Sequence, residues 1–311
     1  MNAAIATVRA RRALTTMLVM TCAVSLLAVT AGSALAKKHK PQPKGPTITT
    51  RTPVTSGSTY LALGDSVTFG FQEQQVVPAP NYADASSFLG YPELFGSELH
   101  VKIVNAACPG ETSSSLIDAT APSNGCENTP GKGNVGYRTA SPLHVSYSGS
   151  QLAFAVGYLK KHHDVRLVSL MIGANDGLVC QETTADHCAS ELGTVVTTVS
   201  SNVKTILSTL RNKAHYRGQL AIVNYYDTAQ GESNEIGLLN QTIDTAAAPF
   251  HVVTADGFGE FAAAAAHSGG NTCTAGLLTQ LVGTPTPCGI HPSYSGQSLL
   301  AQALEKVVRI G

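Results

Sequence analysis

The chain has 311 residues, of which 43% are hydrophobic and 13% are charged, a charged fraction below the ~25% of a typical soluble domain. Its 20 basic and 20 acidic residues cancel, so no overall basic field favours binding to nucleic acid. The length is sufficient for one large α/β domain with a substantial core.

The N-terminal residues 1–36 have the features of a cleaved export signal. Three arginines within residues 9–12 precede an apolar segment over residues 14–29, and a small-residue cleavage sequence ends at Ala36. A retained membrane anchor is the alternative, but this segment of about 16 residues is shorter than the ~20 that span a bilayer. We therefore expect a secreted protein, with contact to a membrane surface or the cell envelope left open.

Residues 37–58 are basic and rich in proline and threonine, and this composition predicts a solvated linker. The folded domain is expected to occupy residues 59–311. Residues 131–136 match the pattern G-x-G-x-x-G, but no predicted strand precedes them and no predicted helix follows. We therefore do not interpret this segment as a nucleotide site.

Six cysteines remain once the predicted signal is removed, an even number that suits three disulfide bonds in an exported protein. Pairing them in chain order closes three short loops, and we favour this connectivity: Cys108–Cys126, Cys180–Cys188 and Cys273–Cys288. A zinc site is the alternative, but no Cys-x-x-Cys occurs and no cysteine has a histidine at zinc-finger spacing. We expect no metal and no cofactor.

Strands alternate with helices along the domain. Apolar runs predict strands over residues 60–64, 101–105, 165–172, 219–225 and 251–254. Helical periodicity predicts helices over residues 92–100, 150–161, 191–213, 234–247, 257–266 and 293–308. This alternation predicts a doubly wound, mostly parallel sheet, and residues 113–147, rich in Gly, Pro, Ser and Asn, form a long excursion on the substrate side.

Four short motifs fall after predicted strands or in the last loop. They are Gly-Asp-Ser ending at Ser66, Pro-Gly-Glu-Thr around Gly110, Gly-Ala-Asn-Asp around Asn175 and Gly-Ile-His-Pro around His291. The ligand crevice of such sheets lies outside the carboxyl ends of the strands, so these residues should converge there. Acyl transfer needs a serine activated by a histidine and fixed donors for an oxyanion.

The set and its order resemble the SGNH (GDSL-type) hydrolase family from about residue 60 to the end. The resemblance implies a flavodoxin-like sheet of five parallel strands and hydrolysis of carboxylic esters. It implies that Ser66 is the nucleophile and His291 the base. The backbone N–H groups of Ser66 and Gly110 and the side-chain amide of Asn175 would form the oxyanion hole. The exported form with three disulfides is similar to secreted bacterial esterases and lipases.

One departure from the family concerns the acid that orients the histidine. The family usually has an aspartate three residues before the histidine, and Cys288 stands at that position here. We hypothesise that a main-chain carbonyl near Cys288 accepts the Nδ1–H of His291, giving a Ser–His dyad. Asp65 and Asp176, within the motifs, are expected to hold their loops by Asx-type hydrogen bonds rather than act as acids.

The sequence therefore predicts a secreted, monomeric serine esterase or lipase that acts on small-molecule or lipid esters through an acyl-enzyme on Ser66. The absence of tryptophan and the 6% aromatic content disfavour a sugar-stacking platform and favour recognition of acyl chains. A carbohydrate or cell-wall O-acetylesterase is one alternative. A non-catalytic envelope or adhesion module is another; the missing aspartate favours it, and the presence of all four motifs argues against it.

Overall fold

The computed structural model describes residues 52–128, 135–228 and 233–311. The predicted signal, most of the predicted linker and most of the G-x-G-x-x-G segment lie outside the described residues. The described strands are β1 Thr59–Gly64, β2 Lys102–Asn105, β3 Val165–Met171, β4 Gln219–Val223, β5 Val253–Ala255, β6 Leu278–Gln280 and β7 Cys288–Pro292. The described helices are α1 Ser66–Phe69, α2 Tyr91–Leu99, α3 Ser113–Ile117, α4 Tyr137–Ala140, α5 Gln151–Lys161, α6 Ala174–Thr183, α7 Leu192–Asn212, α8 Ser233–Ala247, α9 Gly257–Ala265 and α10 Tyr294–Val307.

Strands β1 to β5 form one parallel sheet in the order β2-β1-β3-β4-β5. This is the flavodoxin-like order, and it confirms the predicted five-stranded, doubly wound fold. Every residue of β1 and β4 is buried, as expected for central parallel strands covered by helices on both faces. The carboxyl ends of these strands form the sheet edge that carries the predicted site.

The long helix α7 shows how the flanking helices are fixed. Val199, Val203, Ile206 and Leu210 recur at helical spacing and are fully buried in the core. The residues on the other side of this helix are polar or small. One apolar stripe therefore determines which face of α7 contacts the core.

The domain begins before the predicted boundary. Val54 is fully buried, its N–H donates to the carbonyl of Arg309 at 2.9 Å, and its carbonyl accepts from Gly311 at 3.0 Å. This bridge joins the two ends of the folded chain. The Pro/Thr-rich composition around Val54 predicted a linker and gave no indication that this valine is buried and pairs with the C-terminus.

Strands β6 and β7 form a separate antiparallel pair between α9 and α10, which the sequence analysis did not predict. The described cysteines form three disulfides, in chain order: Cys108–Cys126, Cys180–Cys188 and Cys273–Cys288. The third disulfide ties the start of β7 to the segment before β6. It therefore anchors the strand that carries His291.

Candidate active site

Ser66 is the first residue of α1, which begins two residues after β1 ends. Asp65 caps this short helix, because its Oδ1 accepts a 3.0 Å hydrogen bond from the N–H of Val67. Gly64 permits the sharp turn: its φ is +151°, and a Cβ there would lie 2.4 Å from the carbonyl oxygen of Met171. The chain thus folds locally to present the Ser66 hydroxyl at the carboxyl edge of the sheet.

His291 lies in β7, and its Nε2 is 3.0 Å from the Oγ of Ser66. This is the distance needed for a base to accept the proton of a serine nucleophile. The imidazole also packs against the ring of Phe71, with ring centroids 4.9 Å apart. The carbonyl of the preceding residue, Ile290, accepts a 2.7 Å hydrogen bond from the hydroxyl of Tyr226. Contacts from two directions therefore fix the histidine.

The acid beside His291 is Glu73, which the sequence analysis did not single out. Its Oε1 lies 2.7 Å from the Nδ1 of His291. The hypothesis that a main-chain carbonyl near Cys288 orients His291 is therefore wrong. Cys288 is bonded to Cys273, and a glutamate from the loop after α1 occupies the position beside the imidazole.

Three features hold Glu73 in place. The hydroxyl of Thr279 in β6 donates a 2.6 Å hydrogen bond to its Oε2. The N–H of Val282 donates to the carbonyl of Gln75 at 3.0 Å, which ties the loop after α1 to the β6–β7 pair. Gly289 leaves room for the carboxylate, since a Cβ there would lie 2.1 Å from Oε1 of Glu73. We call Glu73, Thr279, Gly289 and His291 the acid corner.

The acid corner keeps Glu73 ionised. Burial by itself would raise the pKa of this carboxyl, whose side chain is 18% exposed. The hydrogen bond and charge from His291, together with the hydrogen bond from Thr279, outweigh burial and hold the pKa of Glu73 below its usual value. Glu73 can therefore orient the neutral imidazole and stabilise the protonated form.

Gly110 and Asn175 line the same cleft as Ser66. Gly110 has a φ of +82°, and a Cβ there would lie 2.3 Å from the carbonyl oxygen of Asn124. Asn175, near the start of α6, donates from Nδ2 to the carbonyl of Glu111 at 3.0 Å. Its Oδ1 accepts a 2.9 Å hydrogen bond from Nδ2 of Asn124. We call Gly110, Glu111, Asn124 and Asn175 the oxyanion corner, after the role that the family resemblance implies for Gly110 and Asn175.

A second glutamate, Glu111, is fully buried in the oxyanion corner. Its carboxyl accepts hydrogen bonds from the hydroxyl of Ser115 and, at 3.0 Å, from the amide of Gln151. The same Gln151 bonds both backbone groups of Gly64, at 2.6 Å to the N–H and 3.0 Å to the carbonyl. Burial, and then the negative charge of Glu127, raise the pKa of Glu111 to about 8. Glu111 is therefore mostly neutral at pH 7.

Of the two aspartates of the motifs, Asp65 makes the expected Asx-type hydrogen bond, and Asp176 instead bonds a distant segment. Asp176 accepts from the N–H and the hydroxyl of Ser113, at 2.7 and 2.6 Å. Asp65 caps α1 and also accepts from the hydroxyl of Tyr225, while burial raises its pKa to about 6. These bonds join the start of α3 to α6 and the end of β1 to the segment after β4.

The cleft above these residues has a volume of about 580 Å³ and is lined by Ser66, Gly110, Asn175 and His291. The structure thus brings the key residues of the four sequence motifs together in one cleft. Much of the remaining wall is apolar and comes from α6, α7 and α8: Leu178, Leu192, Val195, Val196, Ile236, Leu238 and Leu239. A polar end and an apolar wall therefore share one cleft.

Within the described ranges, the one cluster of side chains with metal-ligand geometry is Cys108, Glu111 and Cys126. The two cysteines are bonded to each other, so neither sulfur is available as a thiolate ligand. This cluster therefore does not form a metal site.

A serine, a histidine and a carboxylate in hydrogen-bond sequence, at the carboxyl edge of a parallel sheet, form the arrangement of a serine hydrolase. The profile of the GDSL-like Lipase/Acylhydrolase family matches residues 62–299. The chain belongs to this family, which confirms the resemblance seen in the motifs, and it is a carboxylic ester hydrolase.

Solved structures have the same fold at low sequence identity. A protein designated a GDSL-like lipase from Parabacteroides merdae is 15% identical, with 83% of this chain and 98% of that chain covered and a TM-score of 0.51. A phospholipase A1 from Streptomyces albidoflavus is 19% identical, with 81% and 99% covered and a TM-score of 0.51. Among curated proteins, no sequence matches this chain significantly.

The sequence contains one weak indication that Glu73 has a role in the site. It is the sole charged residue between positions 66 and 83, close after the Gly-Asp-Ser motif. An isolated charge in a loop is usually solvated, so this signal alone does not identify an acid that contacts a histidine.

Proposed function

We propose that this protein is a secreted serine esterase or lipase that cleaves carboxylic esters through an acyl-enzyme on Ser66. The observation that carries the proposal is the hydrogen-bonded series from Ser66 through His291 to Glu73, with distances of 3.0 and 2.7 Å. His291 acts as the base, and Glu73 orients it and stabilises its charge. The site is therefore a Ser–His–Glu triad rather than a Ser–His dyad.

In the first half-reaction, Oγ of Ser66 attacks the carbonyl carbon of the ester while Nε2 of His291 takes the hydroxyl proton. The tetrahedral intermediate collapses as the C–O bond to the alcohol breaks, and His291 gives its proton to the departing alkoxide. In the second half-reaction, water gives a proton to His291 and attacks the acyl carbon. The acid product leaves, and the proton returns to Ser66.

The negative oxygen of each intermediate needs donors that are already in position. The N–H of Ser66, as the first residue of a helix, has no carbonyl partner within that helix. The N–H of Gly110 and the Nδ2 of Asn175 lie along the same cleft and are the other two proposed donors. Removal of one such donor typically lowers kcat by about 10²–10³-fold.

The cleft supports an acyl group of appreciable length as the substrate's non-polar part. Seven aliphatic side chains from three helices line it, and Leu192 and Leu238 extend to its exposed rim. Burying an acyl chain against such a wall contributes about 0.8 kcal/mol per methylene. This feature favours an esterase or lipase over a carbohydrate O-acetylesterase, whose acyl group has a single methyl.

Two features support secretion. The described cysteines form three disulfides, which persist in oxidising compartments. The N-terminal residues 1–36 have the pattern of a signal peptide. None of the helices in the described parts of the chain combines the length and the apolar character needed to cross a bilayer.

The test is hydrolysis of p-nitrophenyl esters from acetyl to palmitoyl by the oxidised mature protein, with Ser66→Ala beside it. The exposed Ser201 on α7 provides a matched control in Ser201→Ala. We expect activity on chains longer than acetyl, lost in Ser66→Ala and kept in Ser201→Ala. Activity confined to acetyl esters would instead favour the O-acetylesterase.

Phosphatidylcholine vesicles should be tested as a second substrate, because a phospholipase A1 has the same fold. If the folded wild type and Ser66→Ala are equally inactive on every ester tested, the proposal fails and the non-catalytic module becomes the better account.

A further inference from the structure

Asn124 contacts Gly110 and Asn175, the two residues that are proposed to donate to the oxyanion in addition to Ser66. Its Nδ2 donates to Oδ1 of Asn175 at 2.9 Å, and its backbone N–H donates to the carbonyl of Gly110 at 2.7 Å. It lies in the long excursion after α3, outside all four sequence motifs. We propose that Asn124 is a positioning residue that fixes the amide of Asn175 in the orientation able to stabilise an oxyanion.

The orientation of this amide decides its effect. One end of an asparagine side chain is an acceptor and the other carries two N–H donors. The bond from Asn124 to Oδ1 and the bond from Nδ2 to the carbonyl of Glu111 both select the same orientation of Asn175. Rotation of the amide by half a turn would break both bonds and turn an oxygen toward the developing negative charge.

The loop that carries Asn124 is itself firmly held. The hydroxyl of Thr112 donates to the carbonyl of Pro122 at 2.8 Å, and the hydroxyl of Ser123 donates to the carbonyl of Asn128 at 2.7 Å. The Cys108–Cys126 disulfide joins this loop to the segment that contains Gly110. These ties restrict the movement of Asn124, and an oxyanion hole needs donors held in a fixed position.

This inference rests on the proposed function, so the experiment separates the two. It compares kcat and KM for p-nitrophenyl butyrate among the wild type, Asn175→Ala, Asn124→Asp, Asn124→Ala and the double variant Asn124→Asp/Asn175→Ala. Asn124→Asp keeps the shape of the side chain but sets an oxygen against Oδ1 of Asn175. Asn212→Asp is the control, because it makes the same change at an exposed position at the end of α7, outside this loop.

We expect kcat to fall about 10²-fold in Asn124→Asp and roughly 10-fold in Asn124→Ala, with KM changed little. Asn212→Asp should keep kcat within about twofold. In the Asn175→Ala background, Asn124→Asp should cost less than about threefold, because the amide that it misdirects is absent.

Three results would overturn the inference while leaving the oxyanion role of Asn175 intact. One is an equal loss from Asn124→Asp with and without the Asn175 amide, which would assign it a separate role. Another is a change confined to KM, which would make it a substrate contact. The third is an unchanged kcat in Asn124→Asp while Asn175→Ala is impaired. If Asn175→Ala itself leaves kcat unchanged, the oxyanion role proposed for Asn175 fails, and this inference fails with it.

Discussion

The acid corner and the oxyanion corner each contain a glutamate, and the two carboxyls are in opposite electrostatic states. Glu73 is partly exposed and contacts His291, and its pKa is held below the usual value. Glu111 is fully buried among uncharged donors, and its pKa rises to about 8. One glutamate is thus a carboxylate and the other mostly a neutral acid at the same pH.

The difference shows what decides the charge of a carboxyl near an active site. Desolvation acts on both residues and by itself favours the neutral form of each carboxyl. For Glu73, the hydrogen bond and charge interaction with His291 and the hydrogen bond from Thr279 outweigh that cost. For Glu111, the hydrogen bonds from Ser115 and Gln151 and the charge of Arg138, which bonds to Glu127 at 2.9 Å, do not. Glu73 is therefore suited to orient His291 and stabilise its charge, and Glu111 to hold backbone and side chains in place.

Among substitutions that leave both glutamates in place, the largest loss of activity should come from Gly289→Ala. A Cβ at this position would lie 2.1 Å from Oε1 of Glu73, so the carboxylate must move from His291. We expect kcat to fall about 10²-fold, toward the loss seen when the acid of a Ser-His-Asp triad is disabled. Because the displaced atom is the end of a side chain, the Tm should change little.

The matched control is Gly157→Ala in α5, where a Cβ meets no atom within 4 Å. It should leave kcat unchanged. Full activity in Gly289→Ala would mean that Glu73 is not needed where the structure has it.

A smaller effect is expected from Thr279→Val, which keeps the shape of the side chain but removes the hydrogen bond to Glu73. The loss of one such bond, about 1 kcal/mol, should lower kcat roughly fivefold. Because this bond lowers the pKa of Glu73, its removal raises that pKa, and activity should decline at a higher pH on acidification. Thr279→Ser, which keeps the hydroxyl, should have the kcat and the pH dependence of the wild type in a pH profile of kcat. A Thr279→Ser variant that behaves like Thr279→Val would contradict the hydrogen bond as the cause.

The smallest effect on activity is expected from Glu111→Gln, which resembles the neutral acid. The substitution should instead change the pH dependence of the Tm. The pKa of Glu111 rises from an ordinary 4.5 to about 8 on folding, so its favourable contribution is complete below about pH 4.5 and is lost as the pH rises to about 8. The Tm of the wild type relative to Glu111→Gln should therefore fall between pH 5 and pH 8. A difference that stays constant or grows over this interval would contradict a neutral Glu111.

The sequence predicted the parts of the site that local chemistry determines. Ser66, Gly110 and Asn175 each follow an apolar strand through a turn that needs glycine or a small polar residue. Apolar runs and helical periodicity likewise predicted the five parallel strands and six helices to within a few residues, but not the ten-residue helix α6. These features are encoded by neighbours in the chain.

The rest of the site depends on distant contacts. Glu73 lies in a loop without periodicity, and Thr279 and Gly289, which fix it, lie in a strand pair with few apolar residues. Asn124 lies in a Gly/Ser/Asn-rich excursion where nothing local distinguishes it from its neighbours. Residues of this kind are recognised only once the sheet has brought remote segments together.

The most direct test of the contrast between the two corners is the kcat of Glu73→Gln and Glu111→Gln, measured side by side with p-nitrophenyl butyrate at pH 7. The same isosteric change removes the charge of one glutamate and mimics the neutral form of the other. We expect Glu73→Gln to lose about 10²–10⁴-fold in kcat, as when a triad acid is neutralised, and Glu111→Gln to stay within about threefold. Wild-type kcat in Glu73→Gln, or equal losses in both variants, would contradict the assignment of the acid to Glu73.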